Sequence, residues 1–234
     1  MTAMATPPFF LSKHAHICVA SDTLIVLDEA NGKYLSIGKE QAAKLSPFVL
    51  DWPLESSNCD APPLLRSLVG RSLITPDPAQ GKSATPPTIE MPIAWLQDGR
   101  PRGRPQITAK DVYRFSLSAA FALGSKKYLP FKKIVSKVQR KKHASQTRPV
   151  DTEVLGSLIS VFDWLRPLAF KKTNECFLYC LALNNFLSKY DIHTTWIFAV
   201  QSQPFAAHCW LQSGDQALTD IPFNLRRMVP ILVI

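Results

Sequence analysis

Three residues in the last third of this 234-residue chain have types and spacing that could do chemistry: Cys176, His208 and Asp220. A thiol becomes a strong nucleophile once it loses its proton. An imidazole can take that proton, and a carboxylate can hold the imidazole in one tautomer and one orientation. Asn174 reads as an N-cap, which places Cys176 in the first turn of a helix. There the free backbone N–H groups and the helix dipole favour a thiolate and can serve as half of an oxyanion hole. His208 lies in a β-type run, 205–211, and a Ser213-Gly214-Asp215 turn leads to a second run, 216–220. A three-residue loop sets His208 opposite Asp220, with Cβ atoms about 4.5–5.5 Å apart. A two-residue loop shifts the register by one and turns Asp220 to the other face. On spacing alone a plainer alternative stands beside this one, since a buried cysteine commonly acts as a small hydrophobe.

The elements that must position these residues are legible in outline. Runs 17–20, 23–28 and 33–37 alternate as β-strands, with Asn31-Gly32 as the turn before the third. Residues 39–50 read as a helix interrupted at Pro47. Pro62-Pro63 starts a second helix with Leu64, Leu65, Leu68 and Val69 on its apolar side, and Gly70 closes it. Leu73-Ile74 is a last short strand. This gives an N-terminal unit over 13–75. Residues 76–105 contain seven prolines and read as an extended linker, with Trp95 and Leu96 as docking side chains. A second domain over 106–234 opens with basic amphipathic helices. Helices over 151–165 and 174–190 follow, then a strand over 194–200 and the hairpin that carries His208. Helices followed by antiparallel strands make the fold class α+β.

Composition excludes several functions. At 46% apolar residues the chain can build cores and is not wholly disordered. No run approaches the roughly 20 apolar residues of a membrane span. The start lacks a basic n-region, so no secretory signal is expected. Five cysteines without a CxxC pair argue against a disulfide framework. A cytoplasmic protein is expected. The net charge of +9 is concentrated. Between Arg100 and Arg148, 14 Lys+Arg against one acid, Asp111, give +13, which leaves −4 elsewhere. Such a segment is either a solvated helix face or a surface for an anionic partner. Nucleic acid is disfavoured, because no stacking-aromatic pattern or zinc motif accompanies the charge. His14, His16, His143 and His193 show no ligand spacing with the cysteines, so no metal site is expected.

The wording around the three residues is more specific than their spacing. The stretch CFLYCLAL at 176–183, QPFAAHCWL at 203–211 and the Gly214 turn to Asp220 resemble the leader peptidases, or B proteins, of lasso-peptide biosynthesis. That family reads roughly C-L-x-R-S-L-A-L, then P-F-x-x-H-x-W-V-E, then a glycine turn and N-D. The intervals of 32 and 12 residues also look like the family's. The resemblance covers about 65 C-terminal residues. It implies a papain/transglutaminase-like cysteine protease domain with Cys176 as nucleophile, His208 as base and Asp220 as orienting carboxylate. Tyr179 and Cys180 depart from the family's Arg and Ser or Ala, and Cys209 stands where a small residue is usual. Cys180 and Cys209, like Cys18 and Cys59, read as core residues.

The strands at 23–28 and 32–36 with the following helix are similar to the small winged helix-turn-helix-like precursor-recognition element of peptide-modifying systems. The resemblance implies that a precursor's leader peptide adds as a strand to an exposed sheet edge. Expected leader contacts are Lys33, Tyr34, Leu35 and Ile37 on the strand and Leu64 and Leu68 on the helix. It also implies a lasso precursor peptide as substrate and an asparagine-synthetase-like lasso cyclase as partner. No cofactor is expected here, since any ATP would belong to that cyclase. Two other classes fit the residues alone: a non-catalytic peptide-binding adaptor with an inactive transglutaminase-like fold, and a nucleic-acid binder using the basic segment.

Overall fold

A computed structural model describes residues 9–55, 62–96, 103–143, 151–170 and 176–234. The chain is α+β. It divides into two compact units, one formed by residues 1–88 with 199–207 and 229–232, the other by 89–198 with 208–228 and 233–234.

The first unit is built on an antiparallel meander of β2 (Ala15–Ala20), β3 (Thr23–Asp28) and β4 (Lys33–Gly38), in that spatial order. The register is unbroken, from Ala15 opposite Asp28 to Asp28 opposite Lys33. Asp28 sets the second turn. Its carboxylate accepts from the Ala30 and Asn31 amides, and Gly32 supplies the left-handed residue at φ +63°. A second small sheet has β1 (Phe10–Ser12) between β5 (Ile74–Thr75) and β6 (Gly81–Lys82). Helices α1 (Lys39–Ala43) and α2 (Pro63–Gly70) complete the unit. Leu11, Ile17, Leu24, Val26, Leu45 and Ile74 form its core.

A helix interrupted at Pro47 is expected over 39–50, yet α1 is only five residues long. Leu45 and Ser46 donate to Ala42 and Ala43 in i→i+3 turns, and the Trp52 indole N–H takes the Ala42 carbonyl at 2.7 Å. These bonds satisfy the helix end early. The expected linker also differs from a free tether. Gly81–Lys82 pairs with β1 inside the first unit, and β7 (Ala94–Trp95) pairs in parallel with β10 (Gln216–Ala217) inside the second. The prolines fall outside these two-residue strands, so none removes a ladder donor. Leu96 is buried.

The second unit holds α3 (Ala109–Tyr128), α4 (Phe131–His143), α5 (Thr152–Leu165) and α6 (Cys176–Ser188). Thr108 and Asp111 form a reciprocal capping box at the start of α3. Asp111 also accepts a hydrogen bond from the Tyr190 hydroxyl just beyond α6. Phe162 of α5 packs against Phe115 at 5.4 Å and Phe186 at 5.5 Å, which joins the three helices. The lysine-rich α4 keeps Lys132, Lys133, Lys137, Arg140 and Lys141 exposed while Ile134 and Val135 are buried. The basic segment is thus, in large part, the outer face of an amphipathic helix. A five-stranded sheet runs in the order β11 (Val229–Val233), β8 (Thr195–Gln201), β9 (Ala206–Ser213), β10, β7. A short helix, α7 (Pro222–Leu225), lies between β10 and β11. Sequence periodicity did not anticipate α7 or β11, which follow the last turn signal.

Two glycines test this packing in opposite directions. A Cβ on Gly81 would sit 2.3 Å from the Phe10 Cβ, so Gly81→Ala should destabilise the fold by about 1–3 kcal/mol. Gly124 lies inside α3 with nothing within 4 Å of such a Cβ, so Gly124→Ala should stabilise it by about 0.5–1 kcal/mol. Thermal melts of the two variants check both signs.

Candidate active site

Cys176 is the first residue of α6. The N-cap expected at Asn174 lies outside the described residues. The helix behind the thiol is buried almost all round, with Leu178, Cys180, Leu181, Leu183, Phe186 and Leu187 in the core. A helix of that kind is held by its surroundings rather than by one stripe, so its first turn is a fixed platform. Cys176 is half-buried there, at the end of the helix where the dipole favours negative charge.

His208 lies on β9, and its imidazole Nε2 is 2.6 Å from an Asp220 carboxylate oxygen. A carboxylate only accepts, so Nε2 carries the hydrogen and donates. That leaves Nδ1 for Cys176, whose thiol interacts with the His208 side chain. The Trp210 ring stacks on the imidazole at 6.4 Å and 23°. Asp220 is itself held. Its second oxygen accepts from the Ile221 amide at 2.6 Å and the Asn224 amide group at 3.1 Å. The three residues singled out by spacing therefore meet in the second unit.

The route to that meeting differs from the one expected. Gln216 pairs with Ser213 and Ala217 with Gln212, so the loop has two residues, Gly214 and Asp215. In a continued ladder this register would set Asp220 opposite Cys209. The ladder does not continue. The Leu218 amide still donates to the Leu211 carbonyl, but the Leu211 amide donates to the Thr219 hydroxyl at 3.0 Å. A side chain has replaced the next backbone acceptor, the strand ends at Ala217, and the chain bends through 218–220. The bend brings the carboxylate back to His208. Thr219, with Asn224, is a positioning residue that spacing did not reveal. A threonine just before the acidic residue is the signal that could have found it.

The protonation of the pair follows from these contacts. Asp220, and then Cys176, raise the His208 imidazole to about 9 against the opposing effect of burial. Burial pushes Asp220 upward, but bonds from His208, Asn224 and Ile221 outweigh it and leave the carboxyl below its ordinary value. The Cys176 thiol is pushed up to about 12 by the neighbouring Cys209 thiol and by burial, while His208 pulls it down. At neutral pH the pair thus holds both protons, and the first leaves as pH rises through about 9. Either form of the singly protonated pair can deliver a thiolate. The imidazole holds its proton to about 9 when folded and 6.5 ordinarily. The stabilisation it contributes is full below pH 6.5 and is lost as pH rises through about 9.

Cys18, Cys180 and Cys209 are buried, as a core role requires, while Cys59 lies outside the described residues. Among the described residues no three His, Cys, Asp or Glu side chains are grouped to hold a metal ion. Two of the six expected leader contacts need correction. Ile37 and Leu68 are 4% and 1% exposed and belong to the first unit's core, so their side chains face inward. Lys33 is exposed, and Tyr34, Leu35 and Leu64 are half-buried. β4 is an edge strand of its meander, as is β2.

The sequence profile of the transglutaminase-like superfamily matches residues 117–233, half of the chain. The chain is also similar to the microcin J25-processing protein McjB of Escherichia coli, 30% identical over 59 residues. That stretch is 25% of this chain and 28% of the relative, so the likeness spans under a third of either. No solved structure matches the chain. No helix among the described residues is long and apolar enough to cross a membrane.

Alkylation of Cys176 by iodoacetamide, followed by peptide mass spectrometry, should accelerate as pH rises through about 9. Asp220→Asn removes the largest influence holding the imidazole proton and should move that midpoint down. A midpoint unmoved by Asp220→Asn would mean that the carboxylate does not govern the imidazole.

Proposed function

The chain belongs to the transglutaminase-like superfamily, and from that premise we propose that it is a cysteine peptidase of peptide maturation, a leader peptidase that cleaves a ribosomally made lasso precursor. The observation that carries the proposal is the Nε2–Asp220 hydrogen bond of 2.6 Å on an imidazole that also meets the Cys176 thiol. The local likeness to a microcin-processing protein supports peptide maturation as the setting.

In the proposed reaction the Cys176–His208 pair first gives up one proton, and His208 holds the remaining one as imidazolium, with Nδ1 towards the Cys176 thiolate and Nε2 stabilised by Asp220. The thiolate adds to the scissile carbonyl at the leader–core junction. The Cys176 backbone N–H, at the helix start, donates to the developing oxyanion. Imidazolium then protonates the leaving amine of the core peptide, and water releases the leader from the thioester. Trp210, stacked on the ring, keeps the imidazole in the plane that serves both neighbours.

The first unit would bind the leader as a winged helix-turn-helix-like recognition domain. Strand addition at the β4 edge needs backbone groups, so the burial of the Ile37 side chain does not oppose it. Lys33, Tyr34, Leu35 and Leu64 would meet leader side chains. The freed core N-terminus would pass to an ATP-using, asparagine-synthetase-like cyclase that closes the macrolactam. The setting would be the cytoplasm, where thiols stay reduced.

Incubation with a precursor peptide should release leader and core. Cys176→Ala and His208→Ala should each lower the rate by at least about 10³-fold, within the range for loss of a residue of such a unit. Cys180→Ala should retain cleavage. Mass spectrometry of the products checks all three. Cleavage surviving Cys176→Ala, or lost only in Cys180→Ala, would remove the proposed nucleophile.

A further inference from the structure

The second unit has a polar cleft that the proposed chemistry does not use. It is lined from both α4 and α6. Lys137 and Lys141, four residues apart, bring two ammonium groups from one face of α4. Leu181, Asn184, Asn185 and Ser188 fall at i, i+3, i+4 and i+7 of α6 and form one face of that helix. His193 and Thr194 complete the polar wall just before β8, and no carboxylate lines the cleft. About 30 Å³ is open to the centres of water-sized atoms. One water needs roughly 10–15 Å³ on that measure, so the cleft takes a small group rather than a large ligand.

Asn184 and Thr194 are buried, whereas both lysines are exposed. Neutral groups thus form the floor and positive charges the rim. The Thr194 hydroxyl donates to Asn184 Oδ1 at 3.3 Å, which fixes that amide and leaves its N–H₂ group for the cleft. The Ser188 hydroxyl donates to the Asn185 carbonyl at 2.8 Å, so the two asparagine amides are the donors that remain on α6. Lys137 Nζ sits 6.0 Å from the Phe121 ring centroid, against the apolar part of the wall. Burial, and then the like charge of Lys189, pull the Lys141 ammonium below its ordinary value. An anion in the cleft would relieve that repulsion. The C-terminal end of α6 opposes an anion with roughly half a negative charge. The ammonium groups of Lys137, Lys141 and Lys189 outweigh it. The Lys189, Tyr190 and Ile192 amides also take up the Phe186 and Leu187 carbonyls there.

We propose that this cleft binds a phosphoryl group, with Lys137 and Lys141 supplying charge at the rim and the Asn184 and Asn185 amides donating from below. A phosphate monoester carries about −1.5 to −2 charge at neutral pH and three strong acceptor oxygens. It suits several point-like ammonium groups with separate neutral donors. A carboxylate, planar and with two oxygens, is better served by an arginine fork, and no arginine lines the cleft. Asn184 lies eight residues beyond Cys176 on α6, about 12 Å at the helical rise of 1.5 Å per residue. The group therefore binds clear of the thiol and takes no part in its chemistry. It would tie α4 to the helix that presents Cys176. The lysines of α4 then divide by task, with Lys132 and Lys133 solvated and Lys137 and Lys141 holding a ligand. This site goes beyond the peptidase reading and does not rest on it.

Isothermal titration calorimetry of the full chain with inorganic phosphate, at constant ionic strength, should show one saturable site. Lys137→Ala and Lys141→Ala should each weaken it about tenfold or more, the size expected for loss of one charge-assisted bond. Lys132→Ala and Lys133→Ala remove the same charge from elsewhere on α4 and should leave the affinity unchanged. Phosphoserine binding more tightly than phosphate would place the group on a larger molecule, and the reverse would make the free ion the ligand; both support the site. No saturable binding would overturn the proposal. So would equal weakening by all four variants, which means an adventitious ion only, or acetate displacing phosphate as readily as phosphoserine does. Both lysines of the site are exposed, so their variants should fold, and the wild-type titration needs none. No cleavage assay enters, so loss of the peptidase proposal would leave this result standing, and the reverse.

Discussion

The second unit's chemistry depends on one hydrogen bond, from His208 Nε2 to the Asp220 carboxylate. It fixes the tautomer, and therefore which nitrogen faces Cys176. It also raises the imidazole, which sets the pH at which the Cys–His pair yields its first proton. Neighbouring features serve this bond. The Ile221 amide and Asn224 hold the carboxylate from the start of α7, so a four-residue helix that also buries Leu225 becomes a support. Thr219 ends the ladder so that the carboxylate arrives on the imidazole's side.

Much of the framework was legible because it rests on local rules. The strands at 23–28 and 33–38, the helix opened by Pro63 and the helix that follows Asp151 were legible from alternation, turn chemistry and apolar periodicity. Cys176 at a helix start and the proximity of His208 to Asp220 were also within reach of spacing. The mechanism of that proximity was not. A strand rule places Asp220 by register, and register fails where the Thr219 side chain substitutes for a backbone acceptor. Periodicity likewise gave Leu68 an apolar face without saying whether that face meets a ligand or the core. In a small unit whose two sheets and two helices share one core, it meets the core. Proline density at 76–105 hid two short strands for a similar reason. Two-residue strands need no run of β-formers, only backbone groups free to pair between prolines.

The site balances reactivity against burial. A second thiol and burial raise Cys176, while the imidazole and the helix start lower it. The fully buried Cys209 is held far from ionising by its surroundings. A nucleophile poised this way stays protonated at neutral pH until a substrate shifts the proton. The cysteines that composition alone could use only to exclude a disulfide framework thus divide by environment. One is accessible beside a base, two crowd behind it, and Cys18 is sealed in the first unit at about 12 by burial alone.

The most direct test is the charge state of one ring. Nitrogen-15 histidine NMR of the full chain, titrated from acid to alkaline pH, reports both the tautomer and the midpoint of His208. The account predicts a proton retained on Nε2 after the first deprotonation and a midpoint near 9, moving down in Cys176→Ala because the thiol also holds that proton. A His208 that titrates near 6.5 in the wild-type protein, or that is indifferent to loss of Cys176, would contradict it.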